Sequence, residues 1–256
     1  MTDTMYNKAN PRHDTIVEMD SNTLNRPYNF THEQFEELLN RIAAPPPPPA
    51  PASGLGNPGP LGLGSFALTT FVLSCFNAGV FIDKRLEPVV LPLALFYGGI
   101  AQFAAGMWEF QTSNTFGATA FTSYGCFWMS FAAYVYLIVP TLAASSLNVS
   151  DATGLYLLGW TVFTVYMTFA AYRVSKAVFS VFFFLSMTFL LLTIGALAPS
   201  EGTTRAGGWF GLITAFCAWY SSAAVVINTA HGKEVLPVGA YVHQKARPNM
   251  TEDLKV

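Results

Sequence analysis

The sequence predicts an all-α membrane protein of six spanning helices, and three observations carry that prediction. Only 11% of its 256 residues are charged, while 52% are hydrophobic; an ordinary soluble domain is roughly 25% charged. So few charges do not cover a globular surface, which makes lipid the expected solvent. From residue 60 onward, six apolar runs each approach the ~20 residues that a helix needs to cross a bilayer. They cover 60–81, 89–108, 116–139, 154–172, 178–198 and 207–229. The breaks between them are short and polar: Asp83-Lys84-Arg85, Glu109 to Asn114, Ser145 to Thr153 after Pro140, Arg173 with Lys176, and Pro199 to Arg205.

Three regions follow: a polar N-terminal tail over 1–56, the six-helix domain over 57–232, and a polar C-terminal tail over 233–256. The N-terminal tail lacks the apolar core of a secretory signal. One stretch in it has helical order: Thr31-x-x-Gln34 is a capping-box pattern, and Phe35, Leu38, Leu39 and Ile42 follow at helical spacing. Pro45 to Pro49 stop it. An isolated helix of about 12 residues is marginal in water, so the tail is expected to be largely disordered. Docking of that helix on a partner or on the bilayer surface is the alternative.

The first span opens at Asn57-Pro58-Gly59-Pro60-Leu61-Gly62-Leu63. Two prolines and two glycines in seven residues do not suit a helix interior, but they suit a helix start. Asn57 is a preferred N-cap, and proline's missing donor costs little in a first turn.

Charge and composition exclude several functions. A net charge of −2 leaves no nucleic-acid footprint. His13, His32, His231 and His243 all lie outside the apolar runs, which excludes a histidine metal site within the membrane. Cys75, Cys126 and Cys217 read as small hydrophobes inside spans rather than a disulfide framework. There is no phosphate-binding glycine loop with its lysine and no nucleophile elbow, so neither ATP-driven transport nor an enzyme is expected, and no cofactor is implied. Orientation follows the basic residues: of 13 Lys and Arg, only Lys84, Arg85 and Arg205 fall outside if both termini are cytoplasmic. Arg41, Arg173, Lys176 and Lys233 are the informative inside charges. The Asn148-Val149-Ser150 sequon then faces outward, and the plasma membrane is the default location.

In that topology the odd-numbered spans start at the cytoplasmic face, after Asn57, Asn114 and Lys176. Nine or ten residues further on, ~14 Å at 1.5 Å per residue, lie Phe66, Tyr124 and Leu185, near the midplane of a ~30 Å core. The similar starts suggest helical-hairpin repeats pairing spans 1–2, 3–4 and 5–6. Thr70, Ser74 and Asn77 share a helix face with Phe66. Such a stripe either lines a water-filled path or permits close helix packing; Asn77 leans toward function or an interhelical hydrogen bond, because an unpaired amide is costly in lipid. Glu109, at the end of the second span beside Trp108, returns to the face that carries Asn57 and Asn114. It is either an ordinary interfacial carboxylate or part of a functional mouth.

The motifs then become recognisable. Residues 57–63 resemble the Asn-Pro-Ala-Pro-Leu-Gly-Leu signature of the acetate uptake transporter family, also called the GPR1/FUN34/YaaH family, with Gly59 in place of the usual alanine. Phe96-Tyr97-Gly98-Gly99-Ile100-Ala101-Gln102, residues 114–121 and Ser123-Tyr124-Gly125 followed by Phe127-Trp128 extend the likeness, which runs from about 57 to 232. The resemblance implies a six-helix protomer, usually assembled as a hexamer, that moves acetate and other short carboxylates such as succinate. It also implies that a hydrophobic constriction falls on Phe66, Tyr124 and Leu185, a pore-facing threonine on Thr70 and a sixth-span serine on Ser222.

A short carboxylate pairs a charged head with an apolar body. Hydroxyls of Thr70, Ser222 and Tyr124 are expected to donate to the head while Phe66 and Leu185 contact the body. Helix N-termini at the Asn57 and Asn114 mouths add partial positive charge, and Glu109 is the candidate proton carrier. Passage is expected to be channel-like or proton-linked. The rivals are ammonium export and a non-transporting membrane scaffold or signalling protein.

Overall fold

The computed structural model describes residues 31–43, 54–80 and 83–240, in two units divided after Ala52. The first unit contributes one helix, α1 (His32–Ala43). Its capping box is reciprocal: the Thr31 amide donates to Gln34 Oε1 at 3.1 Å, and the Gln34 amide donates to Thr31 Oγ1 at 3.3 Å. Phe35 and Leu39 are exposed. The side chains of Leu38 and Ile42, the Pro45–Pro49 run, residues 1–30 and most of the C-terminal tail lie outside the described residues.

The second unit holds six helices long and apolar enough to cross a membrane: α2 (Gly59–Ala78), α3 (Lys84–Gln111), α4 (Thr115–Ala144), α5 (Val149–Ala171), α6 (Lys176–Leu197) and α7 (Glu201–His231). Each overlaps one of the apolar runs. A helix leaves its first amides without internal partners, and here a side-chain oxygen serves every start. Asn57, Asp83, Asn114, Asn148, Ser175 and Ser200 accept from Gly59, Arg85, Gly117, Ser150, Val178 and Thr203 respectively.

Three boundaries differ from expectation. Asn57 is not the N-cap: Pro58 takes that position with helical dihedrals and offers no side-chain acceptor, so Asn57 reaches over it to the Gly59 amide at 2.9 Å. α4 runs on through Pro140 to Ala144, because a π-helical turn over Tyr134–Ile138 lets the α-helix restart with Pro140 in its first turn. α7 begins at Glu201 rather than after Arg205, because both charges find partners: Glu201 pairs with Lys84 at 3.7 Å, and Arg205 reaches the Ala78 carbonyl at 3.5 Å. That carbonyl is freed where α2 ends at left-handed Gly79 (φ 69°).

The helices pack as a ring, with α2 against α7 and α3, α3 against α4, and α6 against both α5 and α7. The α4 and α5 backbones stand further apart than those of the other two pairs and meet through side chains such as Ser130 with Tyr156 and Tyr134 with Thr153, so the expected hairpin units are unequal. α2 and α7 approach closely enough that a Cβ at Gly208 would overlap the Ala78 backbone. Large apolar side chains such as Leu155, Phe169 and Phe216 point outward, as lipid-facing surfaces require. After α7 the chain turns back: Asn228 Oδ1 accepts from the Val235 and Leu236 amides, and Gly239 and Val238 carbonyls accept from Lys176 and Ala177 at the start of α6.

Candidate functional site

The three residues reached by counting depth along separate helices meet at the centre of the ring. Phe66 (α2), Tyr124 (α4) and Leu185 (α6) are all buried and line one small cavity of about 20 Å³. The Phe66 and Tyr124 rings lie 5.6 Å apart. Phe182, one turn before Leu185, also packs on the Tyr124 ring at 6.0 Å.

Phe66 and Leu185 also line a second cavity of about 530 Å³, so these two side chains form the partition between the two spaces. The large cavity is a vestibule that reaches the exposed Lys84 and Arg85, at the end of the bundle away from Asn57 and Asn114. Thr70, Ser74 and Asn77 all line it, as the path reading of that stripe expects. Packing is served as well, since Ser74 also sits against Gly211 of α7.

The expected donors divide. Thr70 Oγ1 is buried without a partner and is available. Thr164 Oγ1 donates to the Trp160 carbonyl at 2.7 Å, which uses its one proton. The 2.9 Å bond between Tyr124 and Thr164 therefore has Tyr124 as donor, and Tyr124 presents lone pairs to the cavity instead of a proton. Ser222 donates to the Pro60 carbonyl at 2.7 Å and lines neither cavity. Its place is the seam between α7 and the first turn of α2.

Two residues matter that depth and stripe reasoning did not single out. Trp128 is buried on the vestibule wall with its indole nitrogen unpartnered, and Gln102 is buried on the small cavity with Oε1 unpartnered. A mid-span glutamine is costly in lipid, and that signal alone could have drawn attention to Gln102.

At the other end of the bundle, Asn57, Glu109 and Asn114 come together. Glu109 is 2% exposed. Its Oε2 accepts from Asn114 Nδ2 at 2.8 Å and from Thr112 Oγ1 at 3.2 Å. Ser113, at φ 58°, makes the tight reversal that brings Asn114 back over the carboxylate. A Cβ at Gly59 would stand 3.0 Å from Asn57 Oδ1 and 3.3 Å from Glu109 Oε1, so the glycine leaves slack where the motif usually carries a methyl group. Among the described residues, no group of three His, Cys, Asp or Glu side chains is placed to hold a metal ion.

The family profile described as GPR1/FUN34/yaaH matches residues 41–239. The chain belongs to the GPR1/FUN34/yaaH family. Within that family it is 41% identical over 185 residues to the succinate-acetate/proton symporter SatP of Escherichia coli strain K12, a match covering 72% of this chain and 96% of the relative. It is 44% identical over 199 residues to ammonia transport outward protein 2 of Saccharomyces cerevisiae, covering 75% and 67%. The solved structure of the bacterial acetate channel SatP superposes with a TM-score of 0.65 at 41% identity, over 72% of this chain and 99% of that one. The GPR1/FUN34/yaaH ring of six helices thus frames both cavities and the partition between them.

Proposed function

We propose that this chain carries acetate and other short-chain carboxylates across a membrane, along a path through the protomer itself. The observation that carries this reading is the partition of two cavities by Phe66 and Leu185 alone. The likeness to a succinate-acetate symporter and an acetate channel supplies the substrate class. Thr70 and Trp128 offer hydrogen-bond donors to a carboxylate in the vestibule, while the aromatic and aliphatic partition accepts its methyl or methylene body. No cation stands at the partition, so the substrate is held weakly, as throughput requires.

Phe66, Tyr124 and Leu185 act as the gate in this reading. Asn57, Glu109 and Asn114 form the cytoplasmic mouth, with Glu109 handling the proton. Both termini are cytoplasmic, which the Lys and Arg distribution supports, and the protein resides in the plasma membrane as a hexamer.

The test is purified protein in liposomes, with labelled acids scanned under imposed pH gradients. Flux of acetate above protein-free vesicles, falling with acid length, supports the reading. The likeness to an ammonia transport protein favours ammonium as the second reading. Competition decides between them: unlabelled acetate suppresses labelled acetate flux, and ammonium leaves it unchanged. A chain that serves only as a scaffold gives no flux.

A further inference from the structure

We propose that Asn228 is a positioning residue for the partition: it holds the chain that returns after α7 and ties α7 to the start of α6. The proposal rests on the transport reading above and adds to it a residue, outside both cavities, that sets which acids pass.

Asn228 lies in the last turn of α7, which ends at His231, and both ends of its amide are spent on the chain that follows. Oδ1 accepts from the Val235 amide at 2.7 Å and from the Leu236 amide at 2.9 Å, while Nδ2 donates to the Leu236 carbonyl at 2.8 Å. One side chain thus folds the segment after left-handed Gly232 (φ 63°) back on α7. About two turns earlier in the helix, the Tyr220 hydroxyl donates to the Pro237 carbonyl at 2.7 Å.

The segment so held then serves α6. The Gly239 carbonyl accepts from the Lys176 amide and the Val238 carbonyl from the Ala177 amide, each at 3.1 Å. Ser175 pairs with Ala240 in an antiparallel bridge. Lys176 and Ala177 open α6, so their amides have no partner within the helix. Gly239 is itself left-handed (φ 61°), and a Cβ there would stand 3.1 Å from the Lys176 side chain.

This tie matters because the two halves of the partition ride on different helix pairs. Phe66 is on α2, which is locked to α7. Ser222 donates to the Pro60 carbonyl at 2.7 Å, and the two helices cross too closely at Gly208 and Ala78 to admit a Cβ. Leu185 is on α6, which is tied to α5 by the Thr161–Thr193 and Thr168–Ser186 hydroxyl pairs at 2.9 and 2.8 Å. Among the described residues, no side-chain hydrogen bond joins α6 directly to α7. Packed helices slide by ~1–2 Å, whereas a hydrogen bond tolerates a spread of roughly 0.5 Å. The returning chain therefore sets the axial position of Leu185 against Phe66, and Asn228 sets the returning chain.

The test uses full-length protein in liposomes and measures initial rates for labelled acetate and labelled butyrate, with melting in detergent followed alongside. Asn228→Ala loses all three bonds, Asn228→Asp keeps an acceptor for the two amides, and Tyr220→Phe removes only the bond to Pro237. We expect the butyrate-to-acetate ratio to rise several-fold in Asn228→Ala, to return toward wild type in Asn228→Asp, and to rise less in Tyr220→Phe. A lower melting temperature with an unchanged ratio in Asn228→Ala and Tyr220→Phe would show that the segment only stabilises the fold, and would overturn the proposal. So would an Asn228→Asp ratio no closer to wild type than that of Asn228→Ala. Should Asn228→Ala fail to purify, the Tyr220→Phe ratio decides alone. Absence of acetate flux in the wild type would instead sink the transport reading itself.

Discussion

The Tyr124 hydroxyl donates to Thr164 Oγ1 at 2.9 Å, and Thr164 passes its own proton to the Trp160 carbonyl at 2.7 Å. This relay joins α4 to α5, which also meet through the Ser130–Tyr156 and Tyr134–Thr153 hydroxyl pairs. It fixes the tilt of the one ring that meets Phe66, Phe163 and Phe182 together. The orientation of one proposed gate residue is therefore set partly by a residue outside the proposed gate.

Replacing Thr164 with valine keeps its shape and removes the acceptor. The buried Tyr124 hydroxyl is then left unpaired, at a cost of about 1–3 kcal/mol. We expect a lower melting temperature in detergent and a relaxed preference for acetate over longer acids. A variant with unchanged melting and unchanged selectivity would show that the relay positions nothing.

Thr70 and Ser222 separate into different roles. Thr70→Val removes an unpartnered hydroxyl from the vestibule wall and is expected to raise the apparent KM for acetate. Ser222→Ala breaks the bond to the Pro60 carbonyl and is expected to lower stability by about 1 kcal/mol with KM unchanged. Concentration series on both variants check the split, and a KM shift confined to Ser222→Ala would reverse it.

Asn114 does two jobs, capping α4 through the Gly117 amide at 3.1 Å and donating to Glu109 at 2.8 Å. Asn114→Ala loses the cap, worth about 1 kcal/mol, and leaves a buried carboxylate with one donor fewer. Asn114→Asp keeps the cap acceptor but sets a second carboxylate beside Glu109, and is expected to impair uptake more. For Glu109→Gln we expect uptake to lose part of its pH dependence. A full pH profile in that variant would remove Glu109 from proton handling.

Helix packing gives a test independent of transport. Gly208→Ala drives a methyl group into the backbone at Ala78, whereas a Cβ at Gly159 meets nothing within 4 Å. The first substitution should sharply reduce the yield of folded protein, while Gly159→Ala should be neutral or slightly stabilising from helix propensity. Size-exclusion profiles of the two variants make the comparison, and equal yields would contradict the close α2–α7 crossing.

The six spans were legible because lipid demands long apolar runs, and their polar breaks are short. The meeting of Phe66, Tyr124 and Leu185 was legible as depth, since rise per residue converts position into height. Direction was harder to read. Which atom of Tyr124 faces the path depends on Thr164, 40 residues away, and no local pattern reports that. Ser222 was carried over by resemblance to a pore position, yet its hydroxyl is spent on Pro60. Pro140 looked like a stop, because a π-helical turn that absorbs a proline has no clear residue signature. Gln102 was visible only as the last residue of a motif, and its importance emerges from burial without a partner.

The account stands most directly on the partition. Initial rates for labelled acetate and for a series of longer acids should be measured in liposomes carrying wild type, Phe66→Ala, Tyr124→Ala or Leu185→Ala. We expect each folded variant to pass longer acids several-fold faster relative to acetate than the wild type does. Unchanged rate and unchanged selectivity in all three would contradict the claim that Phe66 and Leu185 divide the path with Tyr124 beside them.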